Sequence, residues 1–130
     1  MYKLIFADDE LLIRNNMMKG IHWEEHGFQV IGCYSNGDEL LDALGAGLPD
    51  LVITDINMPY VDGIQVAKYL HYNHPRIKVI FLTGYNEFEY AKNAMEYGVS
   101  RYILKPISSE DIYQLLDETK ALLDRENKDL

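Results

Sequence analysis

Five short apolar runs with helix-like segments between them restrict this chain more than any other feature. They are KLIFA (Lys3–Ala7), FQVIGCY (Phe28–Tyr34), LVIT (Leu51–Thr54), KVIFLT (Lys78–Thr83) and RYIL (Arg101–Leu104). All but the second are continuous, the pattern of strands covered on both faces in a parallel sheet. The intervening segments carry helix-start chemistry. Asn36 precedes Glu39, Asp62 precedes Gln65 and Asn86 precedes Glu89, each at the spacing of a capping box. Ser108, followed by Glu110 and Asp111, supplies a cap and two charges that favour a helix N-terminus. Ile112, Leu115, Leu116 and Leu123 form one apolar stripe along the last helix. Gly27, Gly45 and Gly98 fall where helices stop or the chain turns. Strand followed by helix, repeated five times, predicts an α/β fold: a three-layer, doubly wound, five-stranded parallel sheet. Ligands of such sheets gather at the carboxyl ends of the strands, near a topological switch point.

At 130 residues the chain suits one domain with a real core. We expect that domain over residues 1–123, with the charged segment 124–130 either a fraying helix end or the start of a linker. No apolar run reaches membrane-span length, and the stretch between Lys3 and Asp8 is too short for a signal peptide. The lone Cys33 has no partner for an internal disulfide, which fits a reducing cytoplasm. A formal net charge of -9 makes these residues a poor match for nucleic acid. Any action on DNA falls to another segment.

The strand ends carry the chemistry. The first run ends in Asp8, Asp9 and Glu10, the third in Asp55, the fourth in Thr83 and the fifth in Lys105-Pro106. Each has an ordinary reading by itself. An acid after a strand is a turn residue, the acidic triplet favours a helix N-terminus, Thr83 is a β-branched strand residue and Lys105 a surface lysine. Together they are specific. Clustered carboxylates resist joint ionisation, and a divalent cation such as Mg²⁺, which prefers hard oxygen ligands, resolves the conflict. A metal, an ammonium and a hydroxyl around one carboxylate suit phosphoryl transfer onto that carboxylate.

ADDE after the first run, ITDINMPYVDG around the third, FLTGY ending the fourth and YILKPI around the fifth resemble the receiver domain of bacterial two-component response regulators. The resemblance spans roughly residues 1–123 and implies strand order 2-1-3-4-5, a flavodoxin-like arrangement, with five helices. It implies that Asp55 accepts a phosphoryl group from the histidine of a sensor kinase. Asp9 and Asp55 would ligate Mg²⁺ directly, Asp8 mainly through water, and Asn57 through its backbone carbonyl. Lys105 would pair with the phosphoryl oxygens, its bond to Pro106 commonly being cis. Thr83 and Tyr102 would move together as a switch, reshaping the face of the fourth helix, fifth strand and fifth helix. The implied protein is a cytoplasmic regulator rather than a turnover enzyme. It has no membrane contact, and phosphorylation-dependent homodimerisation is an expected response. The segments Gly20–Leu40 and Thr83–Ile107 resemble receivers fused to AraC-type helix-turn-helix domains, so transcription regulation and DNA contact are expected through an output domain outside these residues. Tyr85, two residues past Thr83, is expected to slow hydrolysis of the acyl phosphate.

Other patterns weigh less. His22 and His26 have a zinc-compatible spacing but lack a third ligand and read as surface histidines. Gly45–Gly47 lacks a third glycine and follows a helix, so it reads as a turn. No nucleotide-cradling loop is present. Tyr85, Phe88, Tyr90 and Tyr97 read as core or rim packing, and by the resemblance as part of a dimer surface. Three other functions compete. A haloacid-dehalogenase-like phosphatase also uses an aspartate after a strand, but needs a second Asp where Asn57 stands. A non-phosphorylated interaction domain on the same fold has no need for the acid set or Lys105, and a flavin-binding domain needs a hydroxyl-rich loop after the first strand.

Overall fold

Every apolar run predicted to be a strand becomes one, and all pair in parallel. In the computed structural model the strands are β1 (Tyr2–Ala7), β2 (Phe28–Tyr34), β3 (Leu51–Asp55), β4 (Lys78–Thr83) and β5 (Val99–Leu104), ordered 2-1-3-4-5. The helices are α1 (Leu11–Gly20), α2 (Gly37–Ala43), α3 (Gly63–Asn73), α4 (Phe88–Asn93) and α5 (Ser109–Lys128). The structure describes residues 1–128, apart from the side chains of Tyr85, Phe88, Tyr90 and Asn93. The readings of Tyr85 as a hydrolysis shield, and of Tyr85, Phe88 and Tyr90 as packing or dimer aromatics, therefore lie outside the described residues.

Strand periodicity divides the apolar runs of β1, β3 and β4 between two cores. Ile5, Ala7, Val52, Val79 and Phe81 face one side with Val66 and Leu70 of α3 and Leu40 of α2. Leu4, Phe6, Leu51, Ile53, Ile80 and Leu82 face the other with Met17 of α1 and Ile112, Leu116 and Leu123 of α5. A continuous apolar run is thus what a strand with both faces covered requires.

The edge strand β5 departs from that reading. It starts two residues before the apolar run RYIL, with Ser100 Oγ donating to the Val79 carbonyl. Its Tyr102 and Leu104 keep 36% and 45% of their surface, so the strand is covered on one face only.

The predicted caps have mixed outcomes. Asp62 and Gln65 form the full reciprocal box at the start of α3. Asn36 accepts from the Glu39 N–H, and Ser108 Oγ accepts from the Asp111 N–H. Asn86 does not cap α4. Residues 85–87 form a 3-10 turn instead, and α4 starts at Phe88 with Glu87 as a cap that makes no side-chain bond to the helix. Gly27 and Gly98 do adopt φ of 88° and 73°, the left-handed conformation that costs glycine nothing. α5 runs on through Lys128, so residues 124–128 continue the helix, the first of the two readings of this tail.

Candidate functional site

The strand order places β1 and β3 side by side at the centre, with the chain leaving β1 for β2 on one side. That is the switch point of the sheet, and its carboxyl edge holds the acids. Asp8 follows β1 and is fully buried, while Asp55 closes β3 with 3% of its surface exposed. Gly63 lets α3 start against this strand end. A Cβ there would lie 2.2 Å from the Asp55 carbonyl oxygen.

Lys105 reaches across from β5. Its backbone N–H donates to the Thr83 carbonyl at 2.8 Å, and its peptide bond to Pro106 is cis. Its ammonium lies 3.1 Å from Asp8 Oδ2, 3.2 Å from Asp55 Oδ2 and 3.7 Å from Glu10 Oε1. The other carboxylate oxygens are held locally. Asp55 Oδ1 accepts from the Ile56 N–H, and Asp8 Oδ1 accepts from the Glu10 N–H, both at 2.8 Å. Arg14, one turn into α1, donates to the Asp8 carbonyl at 2.7 Å.

The electrostatics are unbalanced toward negative charge. Burial, then the neighbouring Asp8 carboxylate, push the Asp55 carboxyl up to about 7 against the opposing pull of Lys105. Burial also raises the Asp8 carboxyl, although the Glu10 N–H and Lys105 oppose it. For Lys105 burial acts to lower the ammonium, but the Asp55 and Asp8 carboxylates outweigh it and hold it above its usual range.

These residues fit a divalent cation. Asp8, Asp9 and Glu10 bring ligand atoms within 4.8 Å of one another. Asp8 Oδ2 is buried and makes no aligned hydrogen bond among the described residues, although Lys105 stands close enough for an ion pair. An all-oxygen donor set with surplus negative charge is what Mg²⁺ prefers.

The remaining predicted residues sit around this edge. Thr83 ends β4, fully buried, and its hydroxyl donates to the Gly84 carbonyl at 3.1 Å. Asn57 is exposed on the loop after Asp55, and its side-chain amide donates to Glu87 Oε1 at 2.8 Å. Tyr102 lies on β5, partly exposed. Glu10, Arg14 and Glu87 are participants that motif reading did not assign. Glu10 belongs to a triplet whose helix-start reading masks its approach to Lys105. Glu87 carries no local signal because its partner Asn57 comes from another segment, and Arg14 carries none because it bonds a backbone carbonyl, which any residue supplies.

In the histidine pair, His26 is engaged by α5. Residues 24–26 form a 3-10 turn, and His26 stacks on Tyr113 with ring centroids 4.2 Å apart. Its Nδ1 lies 2.8 Å from Asp117, which ties this turn to α5.

The chain matches the family model described as response regulator receiver domain over residues 4–117. It is 42% identical over 127 residues to the uncharacterized transcriptional regulatory protein YesN of Bacillus subtilis, covering 98% of this chain and 34% of YesN. It is 32% identical over 129 residues to the transcriptional regulatory protein HptR of Staphylococcus aureus, covering 98% of this chain and 50% of HptR. The chain thus spans between a third and a half of these relatives. Among solved structures, it resembles the REC domain of AraT, a response regulator from Geobacillus stearothermophilus. That match has a TM-score of 0.90 and 33% identity over 97% of this chain and 98% of the other. A two component transcriptional regulator AraC from Clostridium phytofermentans matches with a TM-score of 0.87 and 29% identity, covering 98% of each chain. No helix among the described residues is long and apolar enough to cross a membrane.

Proposed function

Because the chain belongs to the response regulator receiver domain family, we propose that Asp55 accepts a phosphoryl group from the histidine of a sensor kinase. The observation that most supports this reading is the Lys105 ammonium standing between the buried carboxylates of Asp8 and Asp55, at 3.1 and 3.2 Å. A carboxylate oxygen of Asp55 forms the new P–O bond as the P–N bond to the donor imidazole breaks, and the ring nitrogen keeps the electron pair. Lys105 then neutralises phosphoryl oxygens, and the Thr83 hydroxyl donates to one of them.

Asp8, Asp9 and Asp55 would hold Mg²⁺ together with the backbone carbonyl of Asn57. When bound, Mg²⁺ offsets the charge on the transferring oxygens. The domain is a regulatory element rather than a turnover enzyme, acting in the cytoplasm. As Thr83 moves, Tyr102 turns with it and the face formed by α4, β5 and α5 changes shape. The new face promotes a homodimer and signals to an output domain outside these residues, where an AraC-type helix-turn-helix module contacts DNA. The transcriptional regulators among the relatives support that output.

Intact mass measurement after incubation with acetyl phosphate and Mg²⁺ tests the reading. The wild type should gain one phosphate, and Asp55→Asn should lose that modification. An unchanged yield in the variant removes Asp55 from the role, and continuous turnover of small phosphate esters favours a phosphatase instead.

A further inference from the structure

We propose that Glu87 is a positioning residue that holds the Thr83 hydroxyl in its resting orientation, through a latch closed by Asn57. The proposal rests on the reading of Asp55 as the phosphoryl acceptor and concerns how that site is restrained before phosphorylation.

Three hydrogen bonds form one connected path. Thr83 Oγ1 donates to the Gly84 carbonyl at 3.1 Å. The same carbonyl accepts from the Glu87 N–H at 3.0 Å. Glu87 Oε1 accepts from Asn57 Nδ2 at 2.8 Å. The Glu87 carboxylate folds back over Gly84 to do this, its Oε1 3.7 Å from where a Gly84 Cβ would sit. The path therefore joins the hydroxyl at the end of β4 to the loop that leaves Asp55.

The geometry departs from what local structure alone favours. Glu87 occupies the cap position of α4, where a side-chain acceptor ordinarily bonds to the helix N–H groups, but it makes no such bond. Its carboxylate is committed to Asn57 instead. Its second oxygen, Oε2, is buried and has no hydrogen-bond partner among the described residues. An unsatisfied buried carboxylate oxygen is costly, so the latched arrangement is held with little margin. The Thr83 hydroxyl has a single proton to donate. A phosphoryl oxygen on Asp55 is a charged and stronger acceptor than the Gly84 carbonyl. When the hydroxyl transfers its bond, the segment from Gly84 to Glu87 loses one of the three bonds that align it. By linkage, whatever stabilises the latch weakens the phosphoryl-bound arrangement by the same factor.

Beryllofluoride with Mg²⁺, followed by fluorine NMR occupancy, tests this on the present chain. Glu87→Ala and Asn57→Ala should each tighten beryllofluoride binding by about three- to tenfold, the range expected for loss of one ordinary hydrogen bond. The double variant should match either single one, because both remove the same bond. Glu87→Gln keeps an acceptor for Asn57 and should stay near the wild type. If Glu87→Gln tightens binding as much as Glu87→Ala while Asn57→Ala changes nothing, Glu87 acts as a repelling charge and the latch is wrong. Independent, additive effects of the two alanine variants also overturn it. Failure of the wild type itself to bind beryllofluoride instead overturns the reading of Asp55.

Discussion

The Lys105 ammonium stands 3.2 Å from Asp55 Oδ2 and 3.1 Å from Asp8 Oδ2. One cation thus serves two buried acids that arrive on different strands. Removing it leaves both without a counter-charge, and an uncompensated buried carboxylate is strongly destabilising. Lys105→Ala should lower metal-free stability at pH 7.5 by about 2–4 kcal/mol. The loss should shrink when Mg²⁺ is added. Urea unfolding with EDTA and with Mg²⁺ measures both; equal losses in the two media contradict the shared-charge role.

Asp55 gives the site a pH dependence of defined sign. Its folded-state carboxyl titrates at about 7, above the ordinary value of 3.8. Between these values the folded protein holds a proton that the unfolded chain has released, so metal-free stability falls as pH rises from about 4 to about 7. The contribution is fully present below the unfolded value and is lost as pH passes through the folded one. Asp55→Asn should flatten this slope and raise the stability of the metal-free protein at pH 7.5, by about 1–3 kcal/mol. Urea midpoints at half-unit pH steps provide the check.

Metal binding should titrate in the opposite sense, because the cation competes with that proton. The apparent Mg²⁺ affinity should fall as pH drops below 7, approaching tenfold per unit while one proton is displaced. A magnesium concentration a hundredfold above its dissociation constant should add about 2.7 kcal/mol of stability, and chelation should remove it. Calorimetric titration at pH 6 and pH 8 distinguishes this from a pH-independent site.

Gly63 is needed for its lack of a side chain. A Cβ at this position would stand 2.2 Å from the Asp55 carbonyl and 2.9 Å from the Ile56 Cα. Both neighbours are backbone, so Gly63→Ala must displace the start of α3 or the end of β3. We expect a loss of about 2–4 kcal/mol and slower labelling of Asp55 by acetyl phosphate. Ordinary stability and labelling rate in this variant would show that the strand end tolerates the shift.

Tyr60 presents the reverse case. It holds φ of 68° with its side chain 86% exposed, so the left-handed backbone strain is offset by little packing. Tyr60→Gly should raise stability by about 1 kcal/mol, read as a higher thermal midpoint.

Several features were legible before the structure because their causes are local. Leu51–Val52–Ile53 is apolar without a break, and only a strand covered on both faces accommodates such a run at that length. Asp62 and Gln65 sit three residues apart and satisfy each other's neighbouring N–H groups without outside help. The edge strand β5 was read short because Ser100 separates Val99 from the rest of its run, as one open face permits. The cap expected of Asn86 failed where Glu87 turns back toward Asn57, a partner thirty residues away.

The sequence by itself determined which segments are strands, where most helices begin, and which acids and which lysine end the strands. Those follow from periodicity and short-range hydrogen bonding, whose partners lie within a few residues. Only the tertiary structure decided that Lys105 lies between Asp8 and Asp55, that Glu10 approaches the same nitrogen, and that Asn57 is tied to Glu87. Those distances depend on strand order and on how far each loop reaches over the sheet edge. They arise when the two cores pack and bring the β1, β3, β4 and β5 ends together, a constraint that no short stretch of sequence contains.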